Sequence, residues 1–401
     1  MFCELGTYCV TTNRVITFDE YEIKERLKSA PSSIPFGEGR DRRWLKPRKP
    51  ESKEPPWCFL GAAGAPVSSE DVLLTLVESY AKIPYINSVT IPALTRVGGL
   101  EIRPGSPLEV LGVIRNVILA REALRRAGRP GLPIMNAVPS ASTAMSLISA
   151  LHPDYGLRRS DGFLIAVLAE LKTDFEMLSK ACAVKCYGAP IAAEIGTVYG
   201  GYAGGPEGTA IVNVAEHIMG AMVYDADWYL PFPVHVNYTA PSTREMLWVR
   251  NIAAQAISRN THLPTIFISY VAAGPFTEMC LYEIAAQIST IVASGASIEA
   301  VGVAKAAYVD RFTPLEPRFA SEVAYASLDF KLSDLNDIIK KYILPKYEDK
   351  IANPPLGKKF QECCDIRTGR VCKEYLELYN RIKHELSDLG FKFITPEGGG
   401  L

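Results

Sequence analysis

The strongest constraint on the fold is an alternation of apolar runs with helical patterns that begins after Pro56. The runs are too short for helices and are bounded by turn residues, so they indicate buried strands. Between them, apolar residues recur every three or four positions, which predicts amphipathic helices. Strands are predicted at 57–61, 86–91, 132–137, 162–167, 190–194, 233–238, 265–270 and 299–304, and helices near 69–82, 107–127, 140–151, 172–187, 208–223, 242–258, 277–293 and 316–329.

Eight successive strand–helix units between residues 57 and 330 predict the α/β class and a (β/α)8 TIM barrel, a fold that takes roughly 250 residues. An open doubly wound sheet is the alternative, but the glycines of GAAGAP at 61–66 lack dinucleotide-binding spacing. Residues 1–56 are predicted to form an N-terminal cap segment and residues 331–401 a C-terminal helical appendage. Only the final EGGGL is predicted to be disordered.

Composition excludes several classes of protein. Charged residues are 22% of the 401, and the formal net charge is −1, which gives no electrostatic basis for binding nucleic acid or an anionic membrane. No apolar run approaches the roughly 18 residues that span a bilayer, and the N-terminus lacks signal-peptide features. Nine scattered cysteines predict reduced thiols and a cytoplasmic location. No cysteine or histidine spacing indicates a metal site.

The most informative stretch runs from residue 190 to residue 223. A short apolar run ends in the carboxylate Glu194, and a loop with five glycines and then a helical pattern follow. Parallel α/β folds bind ligands beyond the carboxyl ends of their strands. An unpaired carboxylate there costs several kcal/mol or shifts its pKa. Glu194 is therefore the leading catalytic candidate, with a carboxylate satisfied by loop amides as the structural alternative.

The other strand ends add amides and phenols to the same predicted mouth. Its members are Asn136, Glu194, Tyr199, Tyr202, Asn237, Tyr238, Ser269, Tyr270, Glu278 and Lys305. This set suits a small polar or cationic substrate, because each tyrosine can attract a desolvated cation by about 1–2 kcal/mol. The bare backbone of the glycine-rich loop leaves room for a larger ligand above it, at Gly200, Gly201, Gly204 and Gly205.

Several long and unusual segments occur in order along almost the whole chain. They are GTYCVTTNR at 6–14, GRD at 39–41, SSEDV at 68–72, AGRPG at 127–131, YGGYAGG at 199–205, PVHV at 233–236, STREML at 242–247, AGPFTEMCLYE at 273–283 and GKKFQECCD at 357–365. On these segments the sequence resembles one enzyme family, the monomethylamine:corrinoid protein methyltransferases of methanogenic archaea, although the family's longer N-terminal segment is absent.

The resemblance implies an enzyme that transfers a methyl group from an amine to the Co(I) of a corrinoid. The corrinoid is carried by a separate partner protein, so no tightly bound cofactor is expected in this chain. The family also implies a (β/α)8 barrel and a homo-oligomer. The loop glycines at 200, 201, 204 and 205 would face the corrinoid.

The sequence departs from the family at its catalytic centre. The family carries pyrrolysine after AGRPG, and Asn136 (or Met135, given one inserted residue) takes that position here, with no lysine between residues 83 and 171. One family glutamate falls on Glu194. A second glutamate falls near Leu164 and a glutamine near Ile268, both now apolar. The imine group of pyrrolysine and part of the polar surroundings that the family gives it are thus both missing from this chain. Their joint loss indicates a changed substrate.

These departures favour a methylated amine as methyl donor, with a quaternary ammonium as the candidate, because it already carries a neutral leaving amine. In this hypothesis Glu194 balances the cation, Asn136 and Asn237 supply hydrogen bonds, and the tyrosines at 199, 202, 238 and 270 surround it. Two alternatives remain open. One is a non-catalytic barrel that binds a corrinoid protein or a small cation, and the other is a barrel enzyme with a different amine reaction.

Overall fold

The computed structural model describes residues 1–136 and 142–393, and it shows a mixed α/β fold. Residue 137 of the third predicted strand, residues 140–141 of a predicted helix and the EGGGL tail lie outside the described residues. The strands that build the two main sheets are β1 Cys58–Gly61, β2 Ser88–Thr90, β3 Phe163–Val167, β4 Ile191–Ile195, β5 Trp228–Pro231, β6 Ile266–Tyr270 and β7 Ser297–Gly302.

The predicted helices between the strands are confirmed within a few residues at each end. They are α1 Glu70–Ala81, α2 Pro107–Arg126, α3 Ala144–Ala150, α4 Phe175–Tyr187, α5 Pro206–Val223, α6 Arg244–Asn260, α7 Glu278–Ala293 and α8 Leu315–Ala326. Five of them begin where a side-chain oxygen accepts a hydrogen bond from a first-turn backbone N–H, which satisfies a donor that the helix itself leaves unpaired. The capping residues are Ser69, Thr143, Asp174, Thr243 and Thr277.

The strands pair in parallel in two sheets. One has the order β6-β7-β1-β2 and the other the order β3-β4-β5. Bridges join the sheets at both gaps. On one side Ile134 pairs in parallel with Val89 and accepts a hydrogen bond from Gly162 N–H (2.9 Å). On the other side Tyr229 pairs with Thr265. The third predicted strand is thus a single bridge residue.

The prediction of a strand at 233–238 is wrong, since the strand of the main sheet is β5, five residues earlier. All four residues of β5 are buried, so it shows no polar–apolar alternation. The alternation in PVHVNY favoured the later segment. Val234–His235 instead forms a two-residue strand that pairs in parallel with Val198–Tyr199, beyond the end of β4. Asn237 consequently lies in an exposed turn rather than on a main strand.

A hairpin closes the amino-terminal end of the strands. Its strands, Ile34–Phe36 and Arg43–Leu45, are antiparallel, and Phe36 and Leu45 are fully buried. The Phe36 ring packs edge-on against Trp57 and Trp228, with ring centroids 5.9 Å apart in both pairs. These residues form one apolar cluster with inward-facing side chains of β1, β4, β5 and β6. Any cavity between the strands therefore opens at their carboxyl ends.

The remaining elements flank the two sheets. Helix Glu20–Ser29 lies on α5, where Arg26 Nε donates to Ala221 O (3.1 Å). Helices Leu332–Ile338 and Lys373–Asp388 pack on α7. The division at residues 56 and 331 stays a prediction. Across residues 1–136 and 142–393, no helix combines the length and apolar character needed to cross a bilayer.

Short strands lie at Thr7–Cys9, Arg14–Ile16, Pro66–Val67, Ala93–Leu94, Arg96–Val97, Leu100–Glu101 and Lys172–Thr173, and short helices at Phe2–Leu5 and Phe360–Cys363.

Candidate functional site

A cavity of about 560 Å³ opens at the carboxyl ends of the strands. Its wall combines carboxyl, ammonium, phenol and amide groups with apolar side chains. The lining residues are Ala63, Gly64, Asn136, Ser142, Leu164, Ala166, Met177, Lys180, Glu194, Phe232, Val234, Thr239, Ile268, Tyr270, Glu299, Lys305 and Ala306. Pockets of this size hold small ligands, and a few polar groups fix their orientation.

Glu194 lies in this wall because of the alternation along β4. Ala192 belongs to the apolar cluster between the strands, and Glu194 two residues later points to the same side. Removal from water raises the pKa of the Glu194 carboxyl to about 7, while the charge of Lys180 opposes that rise. The carboxyl is therefore poised to change its charge near neutral pH, which is a frequent property of functional groups.

Glu299 supplies a second inward carboxyl that the sequence did not single out. It lies in the middle of β7, is 2% exposed, and pairs with Ile268 of β6 and Phe59 of β1. Burial, followed by the charge of Glu194, raises the pKa of Glu299 well above its ordinary value. Its Oε2 has no hydrogen-bond partner among the described residues. Glu194 and Glu299 thus form an acidic pair that resists double ionisation.

Two aromatic rings stand beside the acidic pair. The rings of Phe232 and Tyr270 pack edge-on, with centroids 5.9 Å apart, and both line the cavity. Burial and the charges of Glu194 and Glu299 raise the pKa of the Tyr270 phenol well above its ordinary value. The phenol therefore stays neutral at physiological pH. A cation between these groups would meet aromatic side chains and carboxylate charge.

Gly302 makes room for the Tyr270 ring, because a Cβ at this position would overlap the ring. Gly302→Ala is expected to lower the free energy of unfolding by about 1–3 kcal/mol, the usual cost of overpacking. It should also displace Tyr270 and weaken ligand binding in the cavity. Chemical denaturation of Gly302→Ala, Tyr270→Ala and the double variant checks this. The double variant should lose less free energy of unfolding than the two single variants lose together. Simple additivity would contradict the close contact between Gly302 and the Tyr270 ring.

Asn136 lines the cavity, but its side chain is also part of the backbone framework. Its Oδ1 accepts a hydrogen bond from Ile91 N–H (2.8 Å), and its Nδ2 donates to Ile91 O (3.4 Å). Ile91 follows directly after β2. Asn136 therefore ties the segment after Ile134 to the end of β2, and its predicted catalytic role stays a prediction.

Four other predicted site residues lie outside the cavity wall. The rings of Tyr199 and Tyr238 each pack on His235, with centroids 5.0 and 4.3 Å apart. Tyr202 is 91% exposed, and Lys172 Nζ lies 4.9 Å from its ring centroid. Asn237 is exposed, and its backbone N–H donates to His235 Nδ1 (3.1 Å). Substrate contact by these four residues stays a prediction.

The remaining members of the predicted mouth divide in the same way. Lys305 lines the cavity. Ser269 points away from it, because it alternates with the inward-facing Ile268 and Tyr270, and its Oγ lies 3.4 Å from Arg250. Glu278 is exposed and paired with Arg381. No group of three or more His, Cys, Asp or Glu side chains that could hold a metal ion occurs in the described part of the chain.

The glycine-rich loop between β4 and α5 is held by buried hydrogen bonds on its α5 side and is open at Gly204. Below it, Glu216 is fully buried, bonds to Thr197, and has its pKa raised by burial to about 8. Asn213 Nδ2 also donates to Thr197 Oγ1 (2.9 Å). Gly204 has a φ of +72°, and a Cβ there would meet nothing within 4 Å. The loop therefore presents open backbone at Gly204, whereas a Cβ at Gly200 would meet Val236 at 2.9 Å and one at Gly201 would meet Val198 at 3.2 Å.

Residues 1–391 match the family model described as monomethylamine methyltransferase MtmB. The chain is 35% identical to monomethylamine methyltransferase MtmB3 of Methanosarcina barkeri and to MtmB1 of Methanosarcina acetivorans, covering 98% of this chain and 85% of each relative. It superposes on the crystal structure of the Methanosarcina barkeri monomethylamine methyltransferase and on that of the hydroxylamine MtmB complex, each with a TM-score of 0.94, 35% identity and the same coverage. This chain therefore belongs to the monomethylamine methyltransferase MtmB family.

Proposed function

We propose that this protein transfers a methyl group from a methylated ammonium compound to the corrinoid of a partner protein, without pyrrolysine. The observation that carries the proposal is the acidic pair of Glu194 and Glu299 beside the Phe232 and Tyr270 rings, in the cavity of an MtmB-family chain. Membership of the family supports the reaction class, and the composition of the cavity supports a cationic donor.

We also propose a closed barrel. We take the two parallel sheets, with the segment around Ile134 as an eighth member, to close into the (β/α)8 barrel that the sequence predicts. The bridges at Val89–Ile134 and Tyr229–Thr265 support closure on both sides. A homo-oligomer and a corrinoid protein partner stay predictions that follow from the resemblance, and a cytoplasmic location stays a prediction that follows from the scattered cysteines.

The apolar part of the wall favours a donor without N–H groups. Leu164 and Ile268 line the cavity near the two positions where the resemblance places a glutamate and a glutamine. An N–H group that an ammonium directs at these two side chains would find no acceptor there, at a cost of several kcal/mol. A quaternary ammonium has no such donor, since alkyl groups cover its charge. It can pack on Leu164 and Ile268 while Glu194 balances its charge.

The leaving group explains why this reaction does not require the imine of pyrrolysine. When the bond between the methyl carbon and nitrogen breaks, its electron pair stays on nitrogen, and a quaternary ammonium departs as a neutral amine. Glu194 and Tyr270 orient the cation, and the apolar wall excludes water from it. The reduced corrinoid supplies the cobalt that accepts the methyl group. The bare backbone at Gly204 and the exposed Tyr202 fit the approach of a large flat ring.

A donor screen tests the function. The full-length protein, a reduced corrinoid protein and single methylated amines are combined, and methylation of the corrinoid is followed by its absorbance. Methylation is expected with at least one quaternary ammonium, and faster than with monomethylamine. No methylation with any donor would overturn the proposed reaction. Amine turnover without a corrinoid protein would favour the alternative enzyme, and ligand binding without turnover the non-catalytic alternative.

Binding should depend on pH through Glu194. Its pKa of about 7 means that the carboxyl is protonated below neutrality, whereas a permanent cation requires the charged form. Affinity for tetramethylammonium should therefore fall up to about tenfold for each pH unit below 7 and level off above it. Calorimetric titrations between pH 5.5 and 8.5 check this. Glu194→Gln should flatten the profile, and an unchanged profile would assign the titration to another group, such as Lys180 or Glu299.

A further inference from the structure

A strained turn brings Lys305 into the cavity. After β7 ends, three successive residues adopt the left-handed conformation, Ala304, Lys305 and Ala306, with φ values of 47°, 62° and 52°. Side chains with a Cβ disfavour this conformation, and it persists where surrounding contacts fix it, often at ligand sites. Here Ala304 N–H donates to Ala273 O (3.0 Å) and Lys305 N–H to Val271 O (2.8 Å).

The Lys305 ammonium lies in the cavity wall without a carboxylate partner among the described residues. Within residues 1–136 and 142–393, no salt bridge or side-chain hydrogen bond joins it to another residue, and its side chain lines the cavity. The charge of Lys305 contributes to lowering the pKa of one carboxyl, Glu283, which burial raises to about 7. The Glu283 oxygens already accept hydrogen bonds from Ser242 Oγ, Ala272 N–H (2.9 Å) and Ala273 N–H (3.0 Å). The positive charge of Lys305 therefore faces the cavity.

The cavity thus carries charges of both signs. The acidic pair lies on β4 and β7, Lys180 acts on Glu194 and donates to Ser142 O (2.9 Å), and the ammonium of Lys305 lies beyond the end of β7. A donor with only a positive charge would be repelled by Lys305. A donor with a carboxylate as well would meet an opposite charge at each end. We propose that the methyl donor is a zwitterion, an N-methylated amino acid whose ammonium lies at Glu194 and whose carboxylate lies at Lys305. This rests on the proposed function and narrows its substrate class.

The two charged ends of the donor have different roles in this proposal. The carboxylate held by Lys305 takes no part in bond breaking, so its binding energy serves to fix the position of the ammonium. The methyl group then lies on the side of the nitrogen away from the acidic pair. Lys305 is accordingly a substrate-binding residue that determines specificity, while Glu194 acts at the charged nitrogen.

Matched ligands test the proposal without a corrinoid protein. Trimethylglycine and ethyltrimethylammonium, which differ mainly in the carboxylate, are titrated calorimetrically into the full-length protein. The wild type is expected to bind trimethylglycine at least tenfold more tightly. Lys305→Gln should lose at least tenfold in affinity for trimethylglycine but not for ethyltrimethylammonium. Lys305→Arg should retain the preference, and the exposed Lys331→Gln is the control that leaves both affinities unchanged.

Each other outcome has a defined meaning. Equal affinities of the wild type for both ligands would overturn the zwitterion but leave the methylated-ammonium function intact. Equal losses for both ligands in Lys305→Gln would also overturn it, because the lysine would then be structural. Unchanged affinities for both ligands in Lys305→Gln would overturn it as well, because the lysine would then not hold the carboxylate. Failure of every methylated ammonium to bind would instead contradict the proposed function itself.

Discussion

Glu194→Gln is expected to lower kcat/KM for methyl transfer from a quaternary ammonium by at least about a hundredfold. Glutamine keeps the shape of the side chain but removes the charge that balances the cation. Removing one partner of a buried charge pair costs about 2–5 kcal/mol, and about 2.7 kcal/mol corresponds to a hundredfold change. Initial rates of corrinoid methylation at pH 8, where the Glu194 carboxyl is ionised, provide the measurement.

The matched control for this variant is Glu207→Gln. Glu207 lies in the first turn of α5, after the same glycine-rich loop, but its side chain is exposed and outside the cavity. Its replacement should change kcat/KM less than threefold. If Glu194→Gln retains a rate within threefold of the wild type while only the unfolding temperature changes, Glu194 is structural and the non-catalytic alternative gains support.

Asp161→Ala is expected to lower the free energy of unfolding by about 3–5 kcal/mol, a large share of the 5–15 kcal/mol typical of folded domains. Asp161 is fully buried. Its carboxylate pairs with Arg121 and accepts hydrogen bonds from Ile134 N–H (2.9 Å) and Arg158 N–H (2.8 Å). Truncation would leave the Arg121 charge without a counter-ion and a buried backbone donor without an acceptor. The urea midpoint of unfolding provides the measurement.

The control is Asp154→Ala, in which an exposed aspartate beside His152 is removed. Exposed pairs contribute little, so a change within about 0.5 kcal/mol is expected. Because Asp161 holds Ile134, two residues before Asn136, the Asp161 variant should also bind ligand more weakly. A loss below about 1 kcal/mol would contradict the assignment of Asp161 as the residue that fixes this segment.

The strand–helix alternation and the position of Glu194 could be predicted because both follow from local pattern. An apolar run that ends in a carboxylate is visible in the sequence, and the alternation along β4 then directs Glu194 to the same side as Ala192. Tyr270 was predicted on the same grounds, at the end of β6. Both residues line the cavity. For both residues, the sequence pattern of a single strand was sufficient to predict the position.

The remainder of the site depends on how strands pair, which a single strand does not reveal. The alternating PVHVNY segment hid β5, and so Phe232, which follows β5 directly, was missed. Glu299 was taken as the first residue of its strand, whereas β7 begins at Ser297 and places Glu299 in the middle. A charged residue within a continuous apolar run was the signal that could have found it. The Tyr199 ring packs on His235, a tertiary contact with no local pattern.

The hairpin at Ile34–Phe36 and Arg43–Leu45 has a kinetic consequence. Because it closes the amino-terminal end of the strands, the cavity has its opening at their carboxyl ends. In the proposed reaction, a corrinoid protein that occupies this opening would trap the donor inside and keep a second donor out. Turnover should therefore follow a compulsory order, with the donor first and the partner second, and excess unmethylated partner should inhibit by blocking entry.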